Sequence, residues 1–288
     1  MIDNTRNVHG PFRLVASDLD GTLLPSSLEV SDYAFQVLRR IQQAGVIVVP
    51  VTARPPRTTA PIAKQLGIER YAICGSGSLL YDFESESILD EAPLDPDVCA
   101  RIVTFLRDDY PGIAFAAERR LRFAREPHYV PGPHYVPGVP IDDFDELDAL
   151  DFGTTTVTKL MAKHDAIEIE VLIEAIERAA GRDVVAESSG GAWVEIRHPR
   201  GTKAAMLERL CERTGINRNE VVAFGDLPID LSMLEWAGHG IAPTNAHRDV
   251  IARVDATCAS NEEDGVVHEL DRLFRAGAFG LSSQMDTS

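Results

Sequence analysis

The stretch Arg13-Leu14-Val15-Ala16-Ser17-Asp18-Leu19-Asp20-Gly21-Thr22-Leu23-Leu24 carries two carboxylates out of an apolar run and into a Gly-Thr turn. Side chains at i and i+2 of an extended chain point the same way, so Asp18 and Asp20 are expected to converge on one small volume. Two like charges that close repel unless a cation shares them or one takes a proton. Either outcome suits chemistry in which one carboxylate attacks and its neighbour moves a proton. Asp-x-Asp-Gly is also how a calcium loop or a plain polar turn begins. An EF-hand loop places its glycine sixth and a glutamate twelfth. Here Gly21 stands fourth from Asp18 and apolar residues follow, so the calcium-loop reading fails.

Outward from this stretch the chain alternates strand and helix. Residues 14–17 read as a short buried strand, and 31–43 as a helix with Ala34, Val37, Leu38 and Ile41 on one stripe. Residues 46–51 form a continuous apolar run, the pattern of a strand covered on both faces. A second helix includes 61–66, and 71–74 begins a third strand. This βαβαβ order predicts an α/β fold with a doubly wound parallel sheet, whose ligands sit at the carboxyl ends of the strands. Asp18 and Thr52 both fall at such ends. The pattern returns after about residue 200, with a helix at 202–213, a strand at 221–224 running into Gly225-Asp226, and a short strand at 240–242. Pro228 opens a helix where its missing N–H is harmless.

Between these halves the texture changes. Residues 84–91 are acidic and Ser-rich; beyond them come helical stretches at 97–107 and 165–179 and strands at 112–116, 156–162, 183–186 and 192–196. The expected organisation is a core formed by 1–84 and 197–288 and an inserted α+β domain over 85–196, with crossings near Ser85 and Pro199 that form a hinge. Within the insert, His128-Tyr129-Val130-Pro131-Gly132-Pro133 is followed by His134-Tyr135-Val136-Pro137-Gly138-Val139. So much Pro and Gly excludes a helix or a central strand, and a surface loop is expected.

The net charge of −17, from 28 basic and 45 acidic residues, sets a field that repels nucleic acid and anionic membrane. A small phosphate can bind only where metal, Lys, Arg or backbone N–H groups reverse the sign locally. Cys74, Cys99, Cys211 and Cys258 are scattered without a C-x-x-C spacing, so neither a zinc cluster nor an oxidising compartment is indicated. The first ten residues lack the apolar centre of a signal peptide, and no apolar run approaches the roughly 20 residues of a membrane span. A cytoplasmic protein is expected.

Three further sites join Asp18 and Asp20. Thr52 leaves the end of a buried strand, followed by Ala53, Arg54 and the stiffening Pro55-Pro56. Lys203, in Gly201-Thr202-Lys203, opens a helix. Asp226 follows a strand end in Gly225-Asp226-Leu227-Pro228-Ile229-Asp230. Each has an ordinary reading: Thr52 as a helix cap, Lys203 as a surface lysine that opposes the helix dipole by about 0.3–1 kcal/mol, Asp226 and Asp230 as helix-start acids. Together they meet the demand of phosphoryl transfer, which is mainly positioning and charge neutralisation. Asp18, Asp20 and Asp226 supply oxygen ligands of the kind Mg²⁺ takes; Thr52 and Lys203 supply groups for the phosphoryl oxygens. Gly75-Ser76-Gly77 has only two glycines of a dinucleotide fingerprint and runs into Leu-Leu-Tyr, so a tight turn is the better account.

The chain resembles the haloacid dehalogenase superfamily, and within it the Cof-type phosphatases. The resemblance rests on Asp18-Leu-Asp20-Gly-Thr-Leu-Leu, Thr52-Ala-Arg54, Gly201-Thr-Lys203 and Gly225-Asp226-x-x-x-Asp230-x-x-Met-Leu, with Asn245-Ala246 and Ser260-Asn261-Glu-Glu-Asp264-Gly265 agreeing in the tail. It implies that Asp18 is the nucleophile of an aspartyl-phosphate. It makes Asp20 the proton donor that later activates water. The phosphoryl group would be held by Thr52, Ala53 and Lys203. Mg²⁺ would be held by Asp18, Asp20 through its backbone carbonyl, Asp226 and Asp230. The insert is then a cap that selects substrate, with Arg54, Arg122 and His128 as candidate contacts and Arg119 and Tyr129 beside them. The implied substrate is a small phosphorylated metabolite, a sugar phosphate among the candidates, and the protein a monomer or homodimer with no nucleic-acid or membrane partner. A hexose-phosphate mutase and a non-catalytic binding protein on the same fold are the alternatives. Ile229 stands where the family usually carries Asn, and Ser76 where Asn often precedes Gly.

Overall fold

The structure, a computed structural model, describes residues 11–130, 144–146 and 156–279, with 144–146 described by its backbone alone. Every residue of strand β1 (Leu14–Ser17) is buried. Val15 packs into one core, while Leu14 and Ala16 enter another on the opposite face. That alternation explains the unbroken apolar run: both faces of the strand are covered.

After β1 come α1 (Asp32–Gln43), β2 (Ile47–Pro50), α2 (Pro56–Gln65), β3 (Tyr71–Cys74), β4 (Leu79–Asp82) and β5 (Ser87–Glu91). The inserted unit comprises α3 (Pro96–Asp109), β6 (Ala114–Arg119), β7 (Arg122–Arg125), β8 (Phe144–Glu146), β9 (Lys159–Lys163), α4 (Ile169–Ala180), β10 (Val185–Glu187) and β11 (Val194–Arg197). The core resumes with α5 (Lys203–Thr214), β12 (Val221–Phe224), α6 (Leu231–Trp236), β13 (His239–Pro243), α7 (Arg248–Ile251), β14 (Ala256–Cys258) and α8 (Gly265–Arg275).

Five parallel strands form the core sheet in the order β14-β13-β12-β1-β2. The apolar stripe of α1 (Ala34, Val37, Leu38, Ile41) packs on one face with α2 and α8; α5 and α6 cover the other. The α/β class and the doubly wound parallel core read from the sequence are present.

Strand β3 departs from the expected pattern. It touches the parallel sheet through a single bridge, Val51 to Ile73, and then pairs antiparallel with β4, which pairs antiparallel with β5. A parallel neighbour needs a crossover of a dozen or more residues. Here Gly75–Gly77 is one 3₁₀ turn, with Ser76 at φ 59°, and it sends the chain straight back. The tight-turn reading of this segment holds. Its closeness to the core is set by Gly77, at φ 105°, where a Cβ would lie 2.2 Å from the Thr202 carbonyl carbon.

The inserted unit is a six-stranded sheet in the order β10-β11-β9-β6-β7-β8, antiparallel except for the β7–β8 pair. Phe115, Ala117, Leu160, Ala162, Val194 and Ile196 point to one face, which α3 and α4 cover. By alternation Glu118, Lys159 and Glu195 face the opposite way, toward the core. Of the first copy of the repeat, residues 128–130 are described: His128 and Val130 are exposed, as expected of a surface loop, while Tyr129 is buried and packs with Ala114, Ala116 and Met161. The phenol supplies apolar area to a sheet face that the helices leave uncovered. The second copy lies outside the described residues.

Candidate active site

The Asp18 N–H donates to Phe224 O at 3.0 Å, so the β1–β12 pairing continues one step and places Asp18 at the carboxyl end of the sheet. The chain then turns through Gly21, at φ 79°, where a Cβ would stand 2.6 Å from Asp226 Oδ2. Only glycine lets the two loops approach this closely. Thr22 Oγ1 donates to Asp226 Oδ1 at 2.6 Å and ties the first loop to the loop after β12. Asn245 Nδ2 donates to Gly21 O at 2.8 Å, and Asn261 Nδ2 donates to Leu24 O at 3.0 Å. The two tail asparagines therefore brace the Asp18–Leu24 loop.

Lys203 is the first residue of α5, which Thr202 caps by accepting from the Ala205 N–H at 3.2 Å. Its side chain is 1% exposed, and its ammonium donates to Asp18 Oδ1 at 2.6 Å and to Asp230 Oδ1 at 2.5 Å. This is no surface lysine. Asp230 Oδ2 accepts from the backbone N–H groups of Asp226 at 3.1 Å and Leu227 at 2.9 Å, so its carboxylate folds back on its own loop. Asp18, Asp226 and Asp230 each offer one oxygen within 4.8 Å of the others.

Three buried carboxylates thus face one ammonium. Burial drives the Asp18 carboxyl well above its ordinary range; Lys203 opposes this, and Asp230, Asp226 and Asp20 add to it. Burial likewise lifts Asp226 to about 6, against the hydrogen bond from Thr22. For Lys203 burial favours the neutral amine, but Asp18 and Asp230 outweigh it and keep the ammonium protonated. The cluster is short of positive charge and offers only hard oxygen donors, which fits a small divalent cation.

Asp20 is placed otherwise than its spacing suggests. Its carboxylate lies outside the three-acid cluster and is forked by Arg54, with Nε to Oδ2 at 2.6 Å and the second nitrogen to Oδ1 at 2.5 Å. The strand ends at Ser17, so the i, i+2 rule no longer governs where the Asp20 side chain goes. Its side chain is 41% exposed. Thr52 is fully buried, and its Oγ1 accepts from the Arg54 N–H at 3.1 Å.

The candidate contacts Arg122 and His128 of the insert are both exposed. Arg122 is exposed at the start of β7, in register with Arg119. His128 is largely exposed and lies 3.7 Å from Glu126. Other side chains of the insert bond to the core. Arg57 forks Glu118 at 2.7 and 2.8 Å. Lys159 donates to Ala53 O at 3.0 Å and to Glu195 Oε1 at 2.9 Å. Ser76 Oγ donates to Glu195 Oε2 at 2.5 Å. Arg197 donates to Ser76 O at 2.7 Å and Gly201 O at 2.6 Å. No sequence motif marked Arg57, Glu118, Lys159, Glu195 or Arg197. Glu195 alone carries a signal, a charge between two apolar strand residues in Val194-Glu195-Ile196.

The chain is similar to known proteins over most of its length. The family model described as haloacid dehalogenase-like hydrolase matches residues 15–270. A 5-amino-6-(5-phospho-D-ribitylamino)uracil phosphatase of Bacillus subtilis is 30% identical over 284 residues, covering 91% of this chain and 97% of its own. The pyridoxal phosphate phosphatase of Escherichia coli is 26% identical over 262 residues, covering 88% and 96%. A solved haloacid dehalogenase-like hydrolase from Bacteroides thetaiotaomicron superposes with a TM-score of 0.76 at 26% identity, covering 91% of this chain and all of the other. No helix among the described residues is long and apolar enough to cross a membrane. The chain belongs to the haloacid dehalogenase-like hydrolases, in the Cof-type branch, and is a phosphoric monoester hydrolase.

Proposed function

We propose that the protein is a Mg²⁺-dependent phosphatase of a small phosphorylated metabolite that works through an aspartyl-phosphate on Asp18. The observation that carries this reading is the Lys203 ammonium, held between Asp18 and Asp230 with Asp226 beside them. Residues 185 positions apart meet in a buried, cation-deficient volume. Asp18, the Asp20 backbone carbonyl and Asp226 would hold the Mg²⁺, with Asp230 supporting it directly or through water. When bound, the ion neutralises the acids and the charge that develops on the phosphoryl oxygens.

In this reading an Asp18 oxygen attacks phosphorus as the ester P–O bond breaks. Asp20, in its protonated form and turned from Arg54, gives its proton to the leaving oxygen. The alcohol departs, and Asp20, now a carboxylate, takes a proton from water as that water attacks phosphorus. The Asp18–phosphorus bond breaks, and inorganic phosphate is released. Thr52, the Ala53 N–H and Lys203 hold the phosphoryl oxygens. The insert, taken as residues 85–196, serves as the cap over the leaving group, with Arg54, Arg122 and His128 as substrate contacts. The substrates named for the relatives make phosphorylated heteroaromatic compounds the first to test, with sugar phosphates beside them.

The test is hydrolysis of p-nitrophenyl phosphate and of a panel of phosphorylated metabolites. Turnover is expected with Mg²⁺, none with EDTA, and a loss of at least about a thousandfold in Asp18→Asn, which removes the nucleophile. Phosphate release that survives Asp18→Asn, or no release from any compound, overturns the reading.

A further inference from the structure

Lys159 belongs to the inserted sheet, yet its ammonium ends on the core loop that follows β2. Its side chain is 5% exposed, and it donates to Ala53 O at 3.0 Å and to Glu195 Oε1 at 2.9 Å. Glu195 is fixed in turn by Ser76 Oγ at 2.5 Å and Ser189 Oγ at 2.7 Å, one hydroxyl from the core and one from the insert. The lysine is therefore aimed by a buried carboxylate that both units hold.

The peptide it grips matters. Ala53 C=O and the Arg54 N–H are the two ends of one planar group and point in opposite directions. The Arg54 N–H donates to Thr52 Oγ1 at 3.1 Å. With a lone pair of that oxygen engaged, the Thr52 proton is left to donate elsewhere. The same residue's guanidinium forks Asp20. One contact from the insert thus sets a peptide plane that orients the Thr52 hydroxyl and carries the Arg54 stem.

We infer that Lys159 is a positioning residue: docked on Ala53 O, it orders the Thr52–Arg54 loop for phosphoryl transfer, so the loop is competent only when the insert is seated. This inference rests on the phosphatase reading above. The Arg57–Glu118 fork also joins the two units, but its bonds end on side chains and hold no loop peptide. It is the natural control for mere docking.

The experiment is steady-state hydrolysis of p-nitrophenyl phosphate with Mg²⁺ by wild type, Lys159→Met, Lys159→Met/Glu195→Gln and Arg57→Gln, with a melting curve for each. The double variant removes both buried charges together, so it decides the matter if Lys159→Met alone does not fold. Lys159→Met is expected to lower kcat by about tenfold or more with KM changed less than about threefold, the signature of an interaction that matters in the transition state. Arg57→Gln is expected to keep kcat within about threefold. Wild-type kcat in a folded Lys159 variant, or a raised KM with kcat unchanged, overturns the inference while leaving the phosphatase reading intact. An inactive wild type, or an active Asp18→Asn, overturns that reading and this inference with it.

Discussion

Lys203 sits in the first turn of α5, where its charge opposes the helix dipole by about 0.3–1 kcal/mol. The helix tolerates this because the ammonium is drawn off the axis onto Asp18 and Asp230. Removing one partner of a buried ion pair leaves the other uncompensated, a loss of about 3–5 kcal/mol. Lys203→Met is therefore expected to lose roughly that much stability in EDTA by urea denaturation, and to be inactive. A variant as stable as wild type would mean that the ammonium does not hold the three acids together. Asp20 teaches the converse: its partner is Arg54, a choice made by the tertiary structure after the strand has ended.

At the scale of elements, β9 and β11 place Glu195 opposite Met161, with Lys159 two residues along on the same face. Such diagonal neighbours are within reach of long side chains. Burial alone would raise the Glu195 carboxyl, but Lys159, Arg197 and the Ser76 and Ser189 hydroxyls outweigh it and pull it down to about 2. The folded value lies below that of an unfolded glutamate. The stabilisation is thus fully present above about pH 4.5 and is lost as the pH falls toward 2, on the order of 3 kcal/mol in all. Urea denaturation at pH 6 and pH 3 should show the decline, and Glu195→Gln should flatten it. Equal slopes in the two proteins would contradict this.

Over the whole molecule, the net charge of −17 adds a diffuse negative field to a site where three acids face one ammonium. The site draws on four segments of chain, around Asp18, Thr52, Lys203 and Asp226, so an ion bound there favours the folded state by mass action. Mg²⁺ at about a hundred times its dissociation constant should add about 2.7 kcal/mol. A melting temperature higher in Mg²⁺ than in EDTA is expected, with most of the rise missing in Asp226→Asn. No rise in wild type would count against the acid cluster as a metal site.

What the chain determined by itself is short-range. Apolar runs, the stripe of α1 and the turn at Gly75–Gly77 specify strands, helix and reversal within a few residues, and they made the parallel core and the strand-end position of Asp18 and Thr52 legible. The tertiary structure alone decided which groups meet: that Lys203 lies between Asp18 and Asp230, that Asp20 turns to Arg54, and that Lys159 and Glu195 of the insert close on Ala53 and Ser76. Periodicity records which face of an element is buried. It does not record what packs against that face, because the partner arrives from between 27 and 185 residues away and is selected by the shape and charge of the assembled surfaces.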